Sequence, residues 1–248
     1  MYSFLSDHSF LASGNQSTPF VTLTFAQSLD GKIAGTGGQQ LILSGPESMK
    51  ATHIMRSRHD AILVGIGTVL NDDPRLTVRL DLNDPELPRG TNLHHPQPII
   101  LDSTLRFPTS ATLLLATAPK RPWIFTTPAH DPQRKLELEA LGAKVFVLPS
   151  NQNNCKSHQI DVSQVISALG SLSIKSLMVE GGAGVIASFL KSGCVDLTLI
   201  TIAPTYVGQD GISAVYDAEA APQFKNVVYF PLGRDVMMVA IPCSKQEV

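Results

Sequence analysis

Asp60-Ala61-Ile62-Leu63-Val64-Gly65-Ile66-Gly67-Thr68-Val69-Leu70-Asn71-Asp72-Asp73-Pro74 is the stretch that decides the fold class. Ala61 to Gly65 is short and continuously apolar. A strand with one wet face would alternate, so this run reads as a strand covered on both faces. That is the signature of a parallel sheet with helices above and below it. Gly65 and Gly67 follow at once. They let backbone approach a ligand closely, and successive N–H groups there could cradle a phosphate. Position 70 is Leu70, so the third glycine of the dinucleotide fingerprint GxGxxG is absent, and a plain strand-to-helix turn also accounts for the stretch.

Outward from this stretch, strands and helices alternate. Phe20 to Phe25 is β-branched and aromatic and reads as a strand. Ser44-Gly45-Pro46-Glu47 has the S-x-x-E form of a helix start, and that helix should run to about His59. Residues 81–98 are rich in Pro, Asp and Asn and read as a loop. Ile99–Asp102 and Trp123–Thr126 are strand-like, a helix over Pro132–Leu141 stops at Gly142, and Lys144–Leu148 is a strand. Val162, Val165, Ile166, Leu169 and Leu172 recur at helical spacing. Ser176–Glu180 is a strand running into Gly181-Gly182-Ala183-Gly184 and a helix. Leu197–Ala203, Val227–Phe230 and Val236–Ile241 are strands with no long helix between them. The expectation is an α/β fold: a mixed sheet, parallel in its core and antiparallel at its C-terminal edge, flanked by helices. Residues 1–18 read as a tail and 19–248 as a single domain.

Composition narrows the function. The 248 residues are 43% hydrophobic and 16% charged, which excludes a disordered chain. Lys and Arg against Asp and Glu give 19 − 21 = −2, so nothing in the bulk charge draws the chain to nucleic acid. Cys155, Cys194 and Cys243 are far apart, as expected of reduced thiols in a reducing compartment. No apolar run approaches the ~18–20 residues of a membrane span. No Lys or Arg precedes Lys32, which argues against a secretory or mitochondrial leader. The expectation is a soluble, cytoplasmic protein.

Four groups of residues could carry chemistry. One is the Gly65–Pro74 turn. In it, Asp73 before Pro74 has a turn to stabilise, whereas Asp72 has no structural task and is the candidate for chemistry. The second is Glu180 followed by Gly181, Gly182, Ala183 and Gly184, where a helix start favours an anion and glycines clear its path; a tight turn with Glu180 in solvent is the plainer reading. Two Gly-rich strand-to-helix turns in one chain favour a dinucleotide over either alone. The third is Gln27, Ser28 and Asp30 leaving the first strand, either as a turn or as a cleft wall. The fourth is the basic set Arg56, Arg58, His59, Arg75 and Arg79, suited to phosphate or to solvent. HExxH, GxxxxGK[ST], GxSxG and the HxE/PCxxC deaminase pair are all absent, and His94-His95 reads as surface, so no metal is expected.

Taken jointly, Ser28–Ala34, Asp60–Gly65 with Gly67–Arg79, and Val179–Ala183 resemble the riboflavin-biosynthesis reductase family, over about Phe20 to Ile241. The resemblance is to its stand-alone fungal form, without a fused deaminase. It implies a dihydrofolate-reductase-like fold, a homodimer and NADPH as cofactor, with NADH as the alternative. The implied reaction reduces the ribosylamino group of 2,5-diamino-6-ribosylamino-4(3H)-pyrimidinone 5′-phosphate to a ribitylamino group. The small phosphorylated pyrimidine is then the partner, with no nucleic acid and no membrane. By the same resemblance Thr68 and Asp72 meet the cofactor, and Asp72 and Glu180 are the catalytic candidates. Glu180, Gly181, Gly182, Ala183 and Gly184 wrap the pyrophosphate, and Arg56, Leu76 and Arg79 hold the phosphoribosyl end. The loop around Gln39 resembles a less regular segment of the family, and the pair Thr126-Thr127, at a strand end, is a candidate for the adenosine 2′-phosphate. A reductase of another heterocycle on the same fold is one alternative, in which Arg56 and Arg79 would lack a phosphate. A non-catalytic nucleotide-sensing module is the other.

Overall fold

The computed structural model describes residues 17–87, 91, 93–149, 160–215 and 223–243. Most of the expected tail and Cys155 lie outside them. The chain alternates β1 (Phe20–Gln27), β2 (Lys32–Ala34), α1 (Pro46–Arg56), β3 (Ala61–Gly65), α2 (Ile66–Asp72), β4 (Gln97–Leu101), β5 (Trp123–Thr126), α3 (Pro132–Ala140) and β6 (Lys144–Val147). Then come α4 (Val162–Ser171), β7 (Ser176–Glu180), α5 (Ala183–Ser192), β8 (Leu197–Ile202), β9 (Ile212–Ser213), β10 (Phe224–Leu232) and β11 (Asp235–Pro242).

Nine strands form one sheet in the order β10-β11-β8-β1-β7-β3-β4-β5-β6. From β8 to β6 every neighbour is parallel. β11 pairs antiparallel with β8, and β10 with β11. The parallel core with an antiparallel C-terminal edge is therefore as expected from the rhythm of the sequence. β2 and β9 form a separate two-stranded sheet that the periodicity did not signal, because strands of three and two residues carry too little pattern.

β3 lies between β4 and β7, and Ala61, Ile62, Leu63 and Val64 are buried, as a strand covered on both faces requires. Alternate residues feed two layers. Leu63, Val179 and Leu23 point toward α4 and α5, packing with Val165, Leu169, Ile186 and Phe189. Ile62 packs with Ile66 and Val69 of α2 and Leu138 of α3, and Met178 with Ala51, Ile54 and Met55 of α1.

Several strand ends differ by one to three residues from the sequence reading, and at α1 both ends differ for a physical reason. α1 starts after Gly45, not Ser44, and no side chain caps it. The Gly45 N–H is instead held by the Asp235 carboxylate at 2.7 Å, which ties the helix start to β11. α1 also ends at Arg56 rather than near His59. His59 turns inward, its Nδ1 on the Met55 carbonyl at 2.8 Å and its Nε2 on Thr22 Oγ1 at 2.9 Å.

Candidate active site

The carboxyl ends of β1, β7, β3 and β4 lie side by side, with Thr24 opposite Glu180 and Gly65 opposite Leu101. Above them opens a cleft of about 990 Å³. Ligand sites of open parallel sheets form at this end, because the loops leaving neighbouring strands diverge there. Arg56, Thr68, Asp72, Leu76, Arg79, Glu180, Gly181, Gly182, Ala183 and Gly184 all line this one cleft. Two stretches, 56–79 and 180–184, about a hundred residues apart in the chain, are thus brought to a single place.

On one wall, the start of α5 faces the cleft. Its N-cap is Gly182, and no side chain caps it, so backbone N–H groups are presented for an anion. The glycines divide into two kinds. A Cβ on Gly181 would come within 2.5 Å of the Val185 Cβ, and one on Gly65 within 2.8 Å of the Val185 Cγ2. Those two glycines make room for protein. A Cβ on Gly182 would meet only the Thr68 Oγ1, at 3.9 Å, and one on Gly184 nothing within 4 Å. These two leave open space on the cleft wall.

On the opposite wall, Met49, Thr52 and Arg56 line the cleft at helical spacing along α1. Arg56 is not a loose cation. Its Nε donates to Glu180 Oε1 at 2.7 Å and its Nη2 to Oε2 at 2.6 Å, a bidentate fork. Its Nη1 donates to the Thr77 carbonyl at 3.1 Å. Both side chains are mostly buried, at 12% and 18% exposure. Burial pulls the Arg56 guanidinium down, the Glu180 carboxylate more than offsets that, and the net shift is upward. Glu180 is thereby held in a fork rather than left in solvent. Three of the five guanidinium N–H bonds are used, leaving two for a ligand.

Asp72 ends α2 with its carboxyl raised above the ordinary range by partial burial. Asp73 adopts a left-handed conformation (φ 40°), and its carboxylate takes the Thr112 N–H at 2.8 Å and the Thr112 hydroxyl at 2.6 Å. Asp73 is thus committed to a structural contact, with Thr112. Leu76 is also left-handed (φ 50°) and buried, and its side chain joins the core with Val69 and Phe107 at the floor of the cleft. Arg75 and Arg79 rise from the same loop into the cleft. Burial, then the Arg56 and Arg75 charges, lower the Arg79 guanidinium, as in a site that collects positive charge for an anion.

The remaining candidates separate. Arg58 and His59 lie outside the cleft lining, and so do Gln27, Ser28 and Asp30. Asp30 accepts the Ser28 hydroxyl at 2.6 Å and the Val207 and Gly208 N–H groups at 3.1 and 2.8 Å, so it organises a turn. Those bonds, the hydroxyl first, hold its carboxyl down at about 2. Thr126 and Thr127 are buried beside the cleft rather than in its lining, with the Thr127 hydroxyl on the Ser103 carbonyl. Gln39 is outside the lining, although Gly38 and Gln40 belong to it. The sequence reading did not single out His53. It lies one turn before Arg56 on α1, and the i, i+3 spacing was the available signal.

The RibD C-terminal domain family matches residues 19–238. The chain belongs to that family. It is 39% identical over 202 residues to the 2,5-diamino-6-ribosylamino-4(3H)-pyrimidinone 5′-phosphate reductase of Debaryomyces hansenii, covering 78% of each chain. It is 36% identical over 231 residues to the riboflavin biosynthesis protein RibD of Bacillus amyloliquefaciens, covering 90% of this chain but 57% of that protein. The solved Saccharomyces riboflavin biosynthesis reductase Rib7 superposes with a TM-score of 0.74 at 29% identity, over 97% of this chain and 98% of that one. The dihydrofolate-reductase-like mixed sheet of RibD reductases is the fold of this domain. Among the described residues no helix is long and apolar enough to cross a membrane.

Proposed function

We propose that this RibD-type domain reduces the ribosylamino group of 2,5-diamino-6-ribosylamino-4(3H)-pyrimidinone 5′-phosphate to the ribitylamino group, using NADPH. The observation that carries the reading is the convergence of Thr68, Asp72, Arg79 and the Glu180–Gly184 turn on one cleft. That cleft fits a nicotinamide dinucleotide on its α5 wall, because a side chain at Gly182 would fill open space there rather than protein. The backbone N–H groups at the start of α5 would hold the pyrophosphate, beside the Thr68 hydroxyl. When bound, the reduced nicotinamide supplies a hydride.

The chain's own residues do the rest. Arg79 and Arg75 neutralise the substrate phosphate at the far end of the cleft, which fixes the sugar along α1. Opening the ribosyl ring moves a proton and leaves a cationic C1′–N bond. Asp72, whose carboxyl is raised, is suited to handle that proton. Glu180, held in place by the Arg56 fork, is suited to set negative charge beside the cationic carbon. Two carboxylates in different surroundings thus take different roles.

We place the enzyme in the cytoplasm as a single-domain homodimer. The apolar Val228 and Tyr229, 49% and 58% exposed on the edge strand β10, are surface that a second copy would cover. Loss of NADPH absorbance on adding the pyrimidine substrate tests the activity. Cofactor binding without turnover would replace the reading by a nucleotide-sensing module. Equal turnover of an unphosphorylated heterocycle would replace it by a different reductase.

A further inference from the structure

The segment that carries Arg79 is strained and has to be held. Asp73 and Leu76 are both left-handed without being glycine, a conformation that surrounding contacts must hold. Asp73 is tied down by Thr112 and Leu76 by the core. Past them, the chain is gripped from two sides by histidine rings. The Val78 N–H donates to His95 Nδ1 at 3.1 Å, and the Arg79 N–H donates to His53 Nδ1 at 3.3 Å. His53 is 4% exposed, and the Thr77 backbone hydrogen-bonds its ring as well. The Thr77 carbonyl also receives Arg56. Consecutive backbone N–H groups on an extended segment point to opposite sides, which is why one acceptor cannot serve both.

We infer that His53 and His95 are positioning residues for substrate binding: their Nδ1 atoms accept the Arg79 and Val78 N–H groups and so set where the Arg79 guanidinium stands in the cleft. The inference rests on the reading that Arg79 meets the substrate phosphate. Each ring can accept only while its Nδ1 carries no proton. The His53 ring is kept neutral by the site, since burial first, and the Arg56 and Arg79 charges next, hold it down at about 4, and the Arg79 N–H facing Nδ1 matches the tautomer protonated at Nε2.

The test measures KM and kcat for the pyrimidine substrate in His53→Leu, His53→Asn, His95→Leu and His95→Asn, with Arg79→Ala and Arg79→Ala/His95→Leu alongside. Losing one acceptor should raise KM about threefold to tenfold in each leucine variant, with kcat changed less than about twofold. Each asparagine restores KM, because its Oδ1 stands close to where Nδ1 stood. Without Arg79, His95→Leu should no longer move KM, since the segment has no guanidinium left to place. Unchanged KM in the leucine variants, or an undiminished effect in the Arg79→Ala background, overturns the inference. Unchanged KM in Arg79→Ala overturns the phosphate reading instead. The exchange rates of the Val78 and Arg79 amide protons then decide about the histidines: faster in the leucine variants and normal in the asparagine ones upholds the grip, and normal in all of them refutes it. If His53→Leu does not fold, the half-buried His95 carries the test.

Discussion

Gly181 and Gly182 are adjacent, yet substituting them should have opposite consequences. At Gly182 the backbone is ordinary (φ −71°), and the nearest neighbour of an added Cβ is the Thr68 Oγ1 at 3.9 Å. Gly182→Val therefore fits the protein. Its cost is the poorer N-cap, at most about 1 kcal/mol. For a chain of this size that lowers Tm by about 2–4 °C. The isopropyl group, however, stands where the pyrophosphate would lie against the start of α5. NADPH at about a hundred times its Kd should stabilise the unaltered protein by about 2.7 kcal/mol. That corresponds to a Tm rise of about 5–11 °C, and Gly182→Val should abolish it. At Gly181 an added Cβ lies 2.5 Å from the Val185 Cβ, so Gly181→Ala forces α5 away from β7. Overpacking of this kind costs about 1–3 kcal/mol, read as a lower Tm in the protein without cofactor. Thermal melts with and without NADPH, backed by calorimetric titration, measure both. A folded Gly182→Val protein with undiminished affinity refutes the placement of the cofactor, and an unchanged Tm in Gly181→Ala refutes the packing argument.

Asp72→Asn should fold normally and lose about 100–1000-fold in kcat with a smaller change in KM, whereas Asp73→Asn should lower Tm through its Thr112 contacts and leave kcat within about fivefold; the reverse pattern, in steady-state kinetics and melts, exchanges their roles. Arg79→Ala should raise KM about tenfold to a hundredfold at constant NADPH affinity, while Arg56→Ala should also reduce kcat, because it unclamps Glu180. Equal, KM-only effects at both positions would mean that the Arg56–Glu180 fork is incidental. Stability should fall as pH drops from about 6.5 toward about 4. His59 is wholly buried, and burial holds its folded value down at about 4, so in that window the unfolded chain binds the proton and the folded one does not. Stability from His59 is thus complete above about 6.5 and declines below it, at up to about 1.4 kcal/mol per pH unit. Melts of His59→Gln against pH should show a shallower decline, and an unchanged slope would remove His59 from the account.

Much of the fold was legible because it rests on local pattern. Ala61–Gly65, Trp123–Thr126 and Ser176–Glu180 are strands with the very limits their composition suggested, since a run of apolar residues between turn formers has few other uses. Gly142 stops a helix with a φ of 92°, where a side chain would be strained. The small β2–β9 pair and the start of α1 were not legible. The first depends on residues nearly two hundred positions apart, and the second on Asp235 reaching Gly45 from β11.

For the site, the sequence by itself determined which chemical groups are present: two aspartates after a Gly-rich turn, a glutamate before another, and arginines at helix and loop positions. Only the tertiary structure decided their partners. Arg56 and Glu180 are 124 residues apart and form a fork at 2.6–2.7 Å because α1 packs on Met178 of β7, which brings the end of the helix to the end of the strand. Gly181 yields its space to Val185, while its neighbour Gly182 leaves space open to the cleft. His53 and His95 become acceptors for adjacent amides of one loop. Pattern along the chain reports the period of each element and the face it buries. Which side chain a carboxylate or a ring nitrogen meets depends on how those elements cross, and that is set by packing across the whole sheet.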